Sequence, residues 1–201
     1  MVFNPTRDDG RPTPHPVPES DEALARQAAA DPEAFAELYR RYLPRVYAYC
    51  WTRLDGREAD EDATSQVWLN AYAALPRFRA DNLRAWLFTI AHHVVTDIHR
   101  QRGRGTTVAL DDEAVDPARG PEHEALAAQT GAELRRAVRL LPADQQRVIE
   151  LRLAGLTGPE IRVVLGRGRS WVDTTQHRAV VRLRQLLPDA ASAKEPTDAT
   201  T

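Results

Sequence analysis

Apolar positions along this chain recur at offsets of three, four and seven in one segment after another, the period of helices with one buried face. Asp31-Pro32-Glu33 has the composition of a helix start, with a capping carboxylate, proline at the first helical position and an acid in the first turn. It leads into Phe35, Leu38, Tyr39, Tyr42, Val46, Tyr49 and Cys50, all on one stripe, and Pro44 is expected to kink or split that helix. A second helix is predicted over 60–74, with Ala63, Val67, Ala71, Trp68 and Leu75 turned inward and Pro76 as its stop. A third begins after Asn82 as cap and buries Leu83, Trp86, Leu87, Ile90, Ala91, Val94 and Ile98. Its opposite arc carries Arg84, Phe88, His92, Val95, Thr96 and His99, so an exposed Phe and an exposed Val are predicted on a basic, histidine-bearing face.

Beyond residue 121 the pattern resumes. Helices are predicted over 122–140 and 142–154, the second ended by Gly155. Thr157-Gly158-Pro159-Glu160 then matches a capping box and opens a short helix with Ile161, Val164 and Leu165 inward. Gly166-Arg167-Gly168-Arg169 reads as a tight turn, and Ser170 as the cap of a last helix carrying Val172, Val180, Leu183, Leu186 and Leu187. Helix, short glycine turn and helix in that order are the signature of a helix-turn-helix.

Periodicity lapses in three places. The first 19 residues hold five prolines, residues 188–201 are small and polar, and residues 103–121 combine glycine, proline and the acidic run Asp111-Asp112-Glu113. The expected organisation is all-α: two small helical domains, 20–102 and 122–187, joined by a flexible acidic linker, 103–121, between disordered tails.

Charge and chemistry refine this picture. The formal net charge of −2 argues against a protein that coats nucleic acid indiscriminately, yet from 77 to 104 six arginines face two acids, and from 144 to 187 eight face four. Two basic zones thus flank an acidic joint. The lone cysteine, Cys50, rules out an internal disulfide or a zinc site built on several cysteines, and its place on an apolar stripe predicts a buried thiol. No run reaches the roughly 18 apolar residues of a membrane span, so membrane insertion is not expected and a cytoplasmic location is. His92, His93, Asp97 and His99 raise the alternative of a metal-dependent hydrolase with an accessory DNA-binding domain. Neighbouring histidines on a helix point about 100° apart, which makes that set a poor ligand cage. No catalytic residue, metal or cofactor is therefore expected.

Physically, Arg77, Arg79 and Asn82 form a loop able to contact phosphate and an unstacked base, Phe88 and the histidines offer stacking faces, and His177, Arg178 and Arg182 suit phosphates and guanine edges. The ordered fragments Asp31-Pro32-Glu33-Ala34-Phe35, Glu61-Asp62, Pro76-Arg77-Phe78-Arg79, Arg84-Ala85-Trp86-Leu87-Phe88, Leu141-Pro142, Leu156-Thr157, Glu160-Ile161 and His177-Arg178-Ala179 resemble the small two-domain, extracytoplasmic-function type of bacterial sigma factor. The resemblance spans about residues 21–102 and 122–187. It implies a non-enzymatic subunit that binds core RNA polymerase and promoter DNA and commonly has an inhibitory anti-sigma partner.

On that resemblance Glu61, Asp62, Ser65, Gln66 and Asn70 would meet the polymerase clamp. Arg77, Arg79, Asn82, Arg84, Phe88, His92, His93, Thr96, His99 and Arg100 would open and read the minus-ten element. Arg167, Arg169, Ser170, Asp173, Thr174, His177, Arg178 and Arg182 would serve the minus-thirty-five element. Asp173 stands where the family carries a DNA-facing lysine. Two readings stay open for it: binding back to a helix start capped by Ser170, or repelling phosphate. A stand-alone helix-turn-helix regulator is the alternative within the same class.

Overall fold

A computed structural model describes residues 20–79, 81–102 and 123–187. The expected linker over 103–121 and the expected tails lie outside those residues. The described chain forms eight α-helices: α1 Asp21–Ala28, α2 Pro32–Arg53, α3 Arg57–Ala74, α4 Leu83–Arg102, α5 His123–Arg139, α6 Ala143–Leu153, α7 Gly158–Leu165 and α8 Arg169–Leu186. A 3₁₀ turn, Leu75–Arg77, follows α3. No helix among these residues is long and apolar enough to cross a membrane.

Local chemistry accounts for most starts and stops. The Asp31 carboxylate accepts the Glu33 N–H at 2.9 Å, and Pro32 occupies the first helical position of α2. Asn82 Oδ1 accepts the Ala85 N–H at 2.8 Å, which starts α4. Glu160 Oε2 accepts from the Thr157 backbone N–H (2.6 Å) and hydroxyl (2.8 Å), closing the box that begins α7. Gly166 ends α7 with φ 61°, a left-handed conformation that a β-carbon would strain. Helix α1 has no counterpart in the sequence reading. Ser20 caps it by accepting the Ala23 N–H, and it buries only Leu24, Ala25 and Ala28, too little apolar signal to stand out in eight residues.

Of the two outcomes expected at Pro44 the split is absent: α2 runs unbroken from Pro32 to Arg53, the proline lying on the solvent side, where water can serve the carbonyl left without a helical donor. More consequentially, Phe88 and Val95 are not exposed: each is 0% accessible. Helix α4 packs against α2 and α3 and, across the two modules, against α7, so it is covered on more than one face. Phe88 sits edge-on to Tyr49 of α2, ring centroids 5.7 Å apart. A single buried arc could not represent a helix enclosed on several sides.

The main core is continuous through both modules. Leu38, Tyr42, Val46, Val67, Leu87 and Phe88 join Val148, Leu151, Leu156, Ile161 and Val172 in one cluster. A second, smaller cluster of Val138, Leu141, Ile149 and Ala179 holds α5 and α6 to α8. Burial of each large aliphatic side chain contributes about 1.5–3 kcal/mol.

Asp60, in the first turns of α3, is an unexpected member of the interior. It is 1% exposed, and its Oδ1 has no hydrogen-bond partner. Burial pushes its carboxyl up to about 6, opposed by nearby Arg135. A folded-state value above the unfolded one means that ionisation is penalised only in the folded chain. Measured against Asp60→Asn, the unaltered protein should therefore lose stability as pH rises from about 4 to about 6 and stay level above that, by an amount on the order of 2 kcal/mol. Urea unfolding of both proteins at pH 4, 5, 6 and 7 checks this, and parallel curves would show that Asp60 is adequately solvated.

Candidate nucleic-acid interface

In the C-terminal module α7 and α8 are joined by a three-residue turn, Gly166-Arg167-Gly168. Val172 and Ala179 pin α8 inward. Arg152 of α6 fixes its rotation: Nε donates to Gln176 Oε1 at 2.8 Å, while Nη1 donates to the Leu156 carbonyl at 3.0 Å. The outward surface that results carries Arg169, Ser170, Asp173, Thr174, His177, Arg178 and Arg182, all exposed. Arg178 and Arg182 have no ion pair or hydrogen bond among the described residues and point two full positive charges at solvent. Arg167, in the turn, lies with its guanidinium 5.1 Å from the Trp171 ring centroid.

The start of α8 differs from expectation. Gly168, extended at φ −72° and ψ 161°, is the cap, and Ser170 is already within the first turn. Asp173 is therefore too far along to bind back to the helix start, and its Oδ2 instead lies 3.5 Å from Arg169 Nε in an exposed pair. The glycine gives the backbone its turn without a side-chain acceptor, so a serine two residues later has no cap to make.

The N-terminal basic zone is less open. Arg77 and Arg79 are exposed, and Arg79 Nη1 donates back to the Phe78 carbonyl at 2.8 Å and the Pro76 carbonyl at 3.2 Å, shaping the loop before α4. Asn82 and Arg84 face the C-terminal module: Asn82 Nδ2 donates to Glu160 Oε1 at 3.3 Å, Arg84 Nη1 to the Gly155 carbonyl at 3.2 Å, and Arg84 lies 3.7 Å from Glu160 Oε2. The buried Phe88 offers no stacking face. His92 is half-buried with Nδ1 3.1 Å from the Tyr49 hydroxyl, and burial, then Arg53 and Arg147, push its pKa down to about 4. It is a neutral, internal hydrogen-bonding group at pH 7. The freely presented strip of α4 is instead His93, Thr96 and Arg100, with Asp97 bonded to Arg100 at 2.9 Å and His99 beside it. Among the described residues no three His, Cys, Asp or Glu side chains gather as a metal cage.

Glu61, Asp62, Ser65, Gln66 and Asn70 all lie exposed along α3, where Gln66 Nε2 donates to Asn70 Oδ1 at 2.8 Å and Glu61 accepts from Arg57 Nε at 2.8 Å. Beside this polar row the structure exposes an apolar patch that the sequence reading missed: Leu69 is 64% accessible and Tyr72 58%. Tyr72 is supported edge-on by Phe35, centroids 4.9 Å apart, and Tyr39 lies against Trp68 at 4.8 Å. A leucine off the inward set Ala63, Val67 and Ala71 was the available signal. An apolar patch rimmed by polar groups is the form of a protein-docking surface.

The chain as a whole is similar to known proteins. The family model described as Sigma-70 region 2 matches residues 38–105, which include α3 and α4. The chain is 35% identical over 187 residues to the ECF RNA polymerase sigma factor BldN of Streptomyces coelicolor, covering 88% of this chain and 70% of BldN. It is 34% identical over 174 residues to ShbA of Streptomyces griseus (80% and 91% covered) and 33% identical over 175 residues to SigD of Mycobacterium tuberculosis (82% and 82%). The fold is shared with CnrH, solved with the cytosolic domain of CnrY (TM-score 0.65, 24% identity, 87% of this chain and 99% of CnrH covered). It is also shared with the sigma factor RpoE of Bartonella quintana, solved with the anti-sigma factor NepR (TM-score 0.66, 24% identity, 78% and 98%). The match to Sigma-70 region 2 and the extended similarity to three such factors give one assignment: this chain belongs to the extracytoplasmic-function family of RNA polymerase sigma factors.

Proposed function

We propose that the chain docks on core RNA polymerase through the α3 row of Glu61, Asp62, Ser65, Gln66 and Asn70 together with Leu69 and Tyr72. Promoter reading is then divided between the modules. Arg77, Arg79, Asn82, Arg84, His93, Thr96, His99 and Arg100 serve the minus-ten element, whereas Phe88 and His92 support that surface from beneath. Arg167, Arg169, Ser170, Thr174, His177, Arg178 and Arg182 serve the minus-thirty-five element, with α8 in the major groove. Asp173 holds Arg169 and lowers the local positive charge, which trims nonspecific phosphate binding. The observation that carries this reading is the outward face of α8, fixed in rotation by Arg152–Gln176 and ending in two free guanidinium groups. The protein acts in the cytoplasm as a non-enzymatic subunit and has an anti-sigma partner, the kind of partner with which the RpoE neighbour was solved.

Neither basic zone is large enough for tight binding alone, and tethering on core polymerase supplies the effective concentration each module lacks. The test is transcription from a promoter library. Purified chain alone should show little sequence preference, and chain plus core enzyme should yield transcripts from a subset of promoters. Tight, sequence-specific operator binding without affinity for core polymerase would replace this reading with that of a stand-alone regulator.

A further inference from the structure

The outward face of α8 carries one acid among its cations. Asp173 and Arg169, one helical turn apart, have side chains 61% and 83% exposed, and Asp173 Oδ2 lies 3.5 Å from Arg169 Nε. The charges attract, yet neither side chain forms a hydrogen bond among the described residues. The guanidinium fork and the carboxylate oxygens therefore keep their bonding capacity for something outside the chain. Their direction is set, because Val172 and Ala179 lie in the core and Arg152 holds Gln176. Arg178 and Arg182 stand about half a turn round the helix from Asp173, at 3.6 residues per turn, so Arg169 is the cation of α8 that accompanies it.

A carboxylate brought into a major groove is repelled by the phosphates on either side unless it meets a donor. The groove offers two kinds, the amino groups of cytosine and of adenine. Adenine N6 sits beside N7, an acceptor that repels the second carboxylate oxygen, whereas cytosine N4 has only a ring C–H next to it. Cytosine is therefore the base that suits Asp173. The fork of Arg169 suits guanine, whose O6 and N7 accept two parallel bonds. Four residues of helix advance about 6 Å, which spans one to two base-pair steps of about 3.4 Å. A helix-turn-helix presents the N-terminal part of its second helix to base edges, and Arg169 and Asp173 both lie there.

We propose that Asp173 and Arg169 form a two-residue reader of the minus-thirty-five element, Asp173 accepting from cytosine N4 and Arg169 donating to guanine O6 and N7 one or two base pairs away. This rests on the placement of α8 in the major groove under the proposed function. It goes further than charge reduction, which would act alike on every sequence, whereas a base contact acts at one position.

The experiment runs the full chain with core polymerase on a promoter library randomised across the minus-thirty-five element, its minus-ten element taken from a responsive promoter, and sequences the transcripts. The unaltered protein should favour cytosine at one position by about tenfold, the scale of one good base contact. Asp173→Ala should erase that preference at that position alone. Asp173→Asn should transfer it to adenine, whose N6 and N7 match an amide. Arg169→Ala should erase a guanine preference one or two positions away. A side chain that merely supported the helix could not exchange one preferred base for another. Cytosine preference retained in Asp173→Ala, with output raised evenly on all sequences, would overturn the base contact and leave only charge reduction. Preference lost across the whole element would overturn it in favour of a positioning role. In both cases the groove placement of α8 survives. Transcripts without any minus-thirty-five preference in the unaltered protein, or no transcripts, would overturn that placement and the reader with it.

Discussion

Replacing Phe88 by alanine should destabilise the protein by about 3–5 kcal/mol, the usual cost of removing a fully buried aromatic ring. That is a large share of the roughly 5–15 kcal/mol that holds a domain together. The ring is wholly enclosed in the core cluster that runs through both modules, and its edge-on contact with Tyr49 would be lost with it. His92 hydrogen-bonds to that same Tyr49, so the cavity would also loosen the histidine beneath the proposed minus-ten surface. Urea unfolding followed by circular dichroism reads the effect. A change below about 1 kcal/mol with selective loss of single-strand binding would restore Phe88 to a stacking role at the DNA surface. The prediction therefore separates a residue that holds up the reading surface from one that belongs to it.

The second large effect concerns α8. Arg178→Ala with Arg182→Ala should lower promoter-specific transcription by well over tenfold while leaving binding to core polymerase unchanged. Each arginine lost from a phosphate or base edge typically costs about 1–3 kcal/mol, and two positions one helical turn apart act on the same stretch of groove. Both side chains are exposed, so the fold does not depend on them and the loss should not appear as reduced stability. Run-off transcription on a responsive promoter, beside a core-binding assay, gives the two readouts. Equal losses in both would move these arginines from the DNA surface to the polymerase interface, and no loss in either would remove α8 from promoter reading.

What the sequence revealed follows the range of the forces involved. The start of α2 at Asp31-Pro32, the Asn82 cap and the Thr157–Glu160 box are settled within four residues, and each forms as read. The exposed positions on α3 and α8 were likewise legible, because one-sided helices sort their own residues. Phe88 and Val95 were misplaced because α4 is covered from several sides by helices distant in sequence. The cap of α8 was misread because glycine turns the chain with its backbone and leaves no polar side chain to recognise. Asn82 and Arg84 were rightly marked as polar and basic, yet their engagement with Glu160, 78 residues from Asn82, lies beyond any local pattern. The apolar exposure of Leu69 and Tyr72 becomes visible only when the surface is assembled.

The tryptophans give the arrangement of the modules an optical signature. Trp51, on α2, lies under the guanidinium of Arg135 on α5, 3.7 Å from ring centroid to the central carbon, and its carbonyl accepts from the same side chain at 3.2 Å. Trp68 and Trp86 sit in the N-terminal helices and Trp171 in α8, each against neighbours of its own module. Separation of the modules would take the cation off the Trp51 indole and admit water to that face, shifting its emission to longer wavelength and leaving the other three in place. A chain in which Trp68, Trp86 and Trp171 are phenylalanine would then report, by the intrinsic fluorescence of Trp51 and without any attached dye, whether α5 leaves α2 as urea rises ahead of global unfolding.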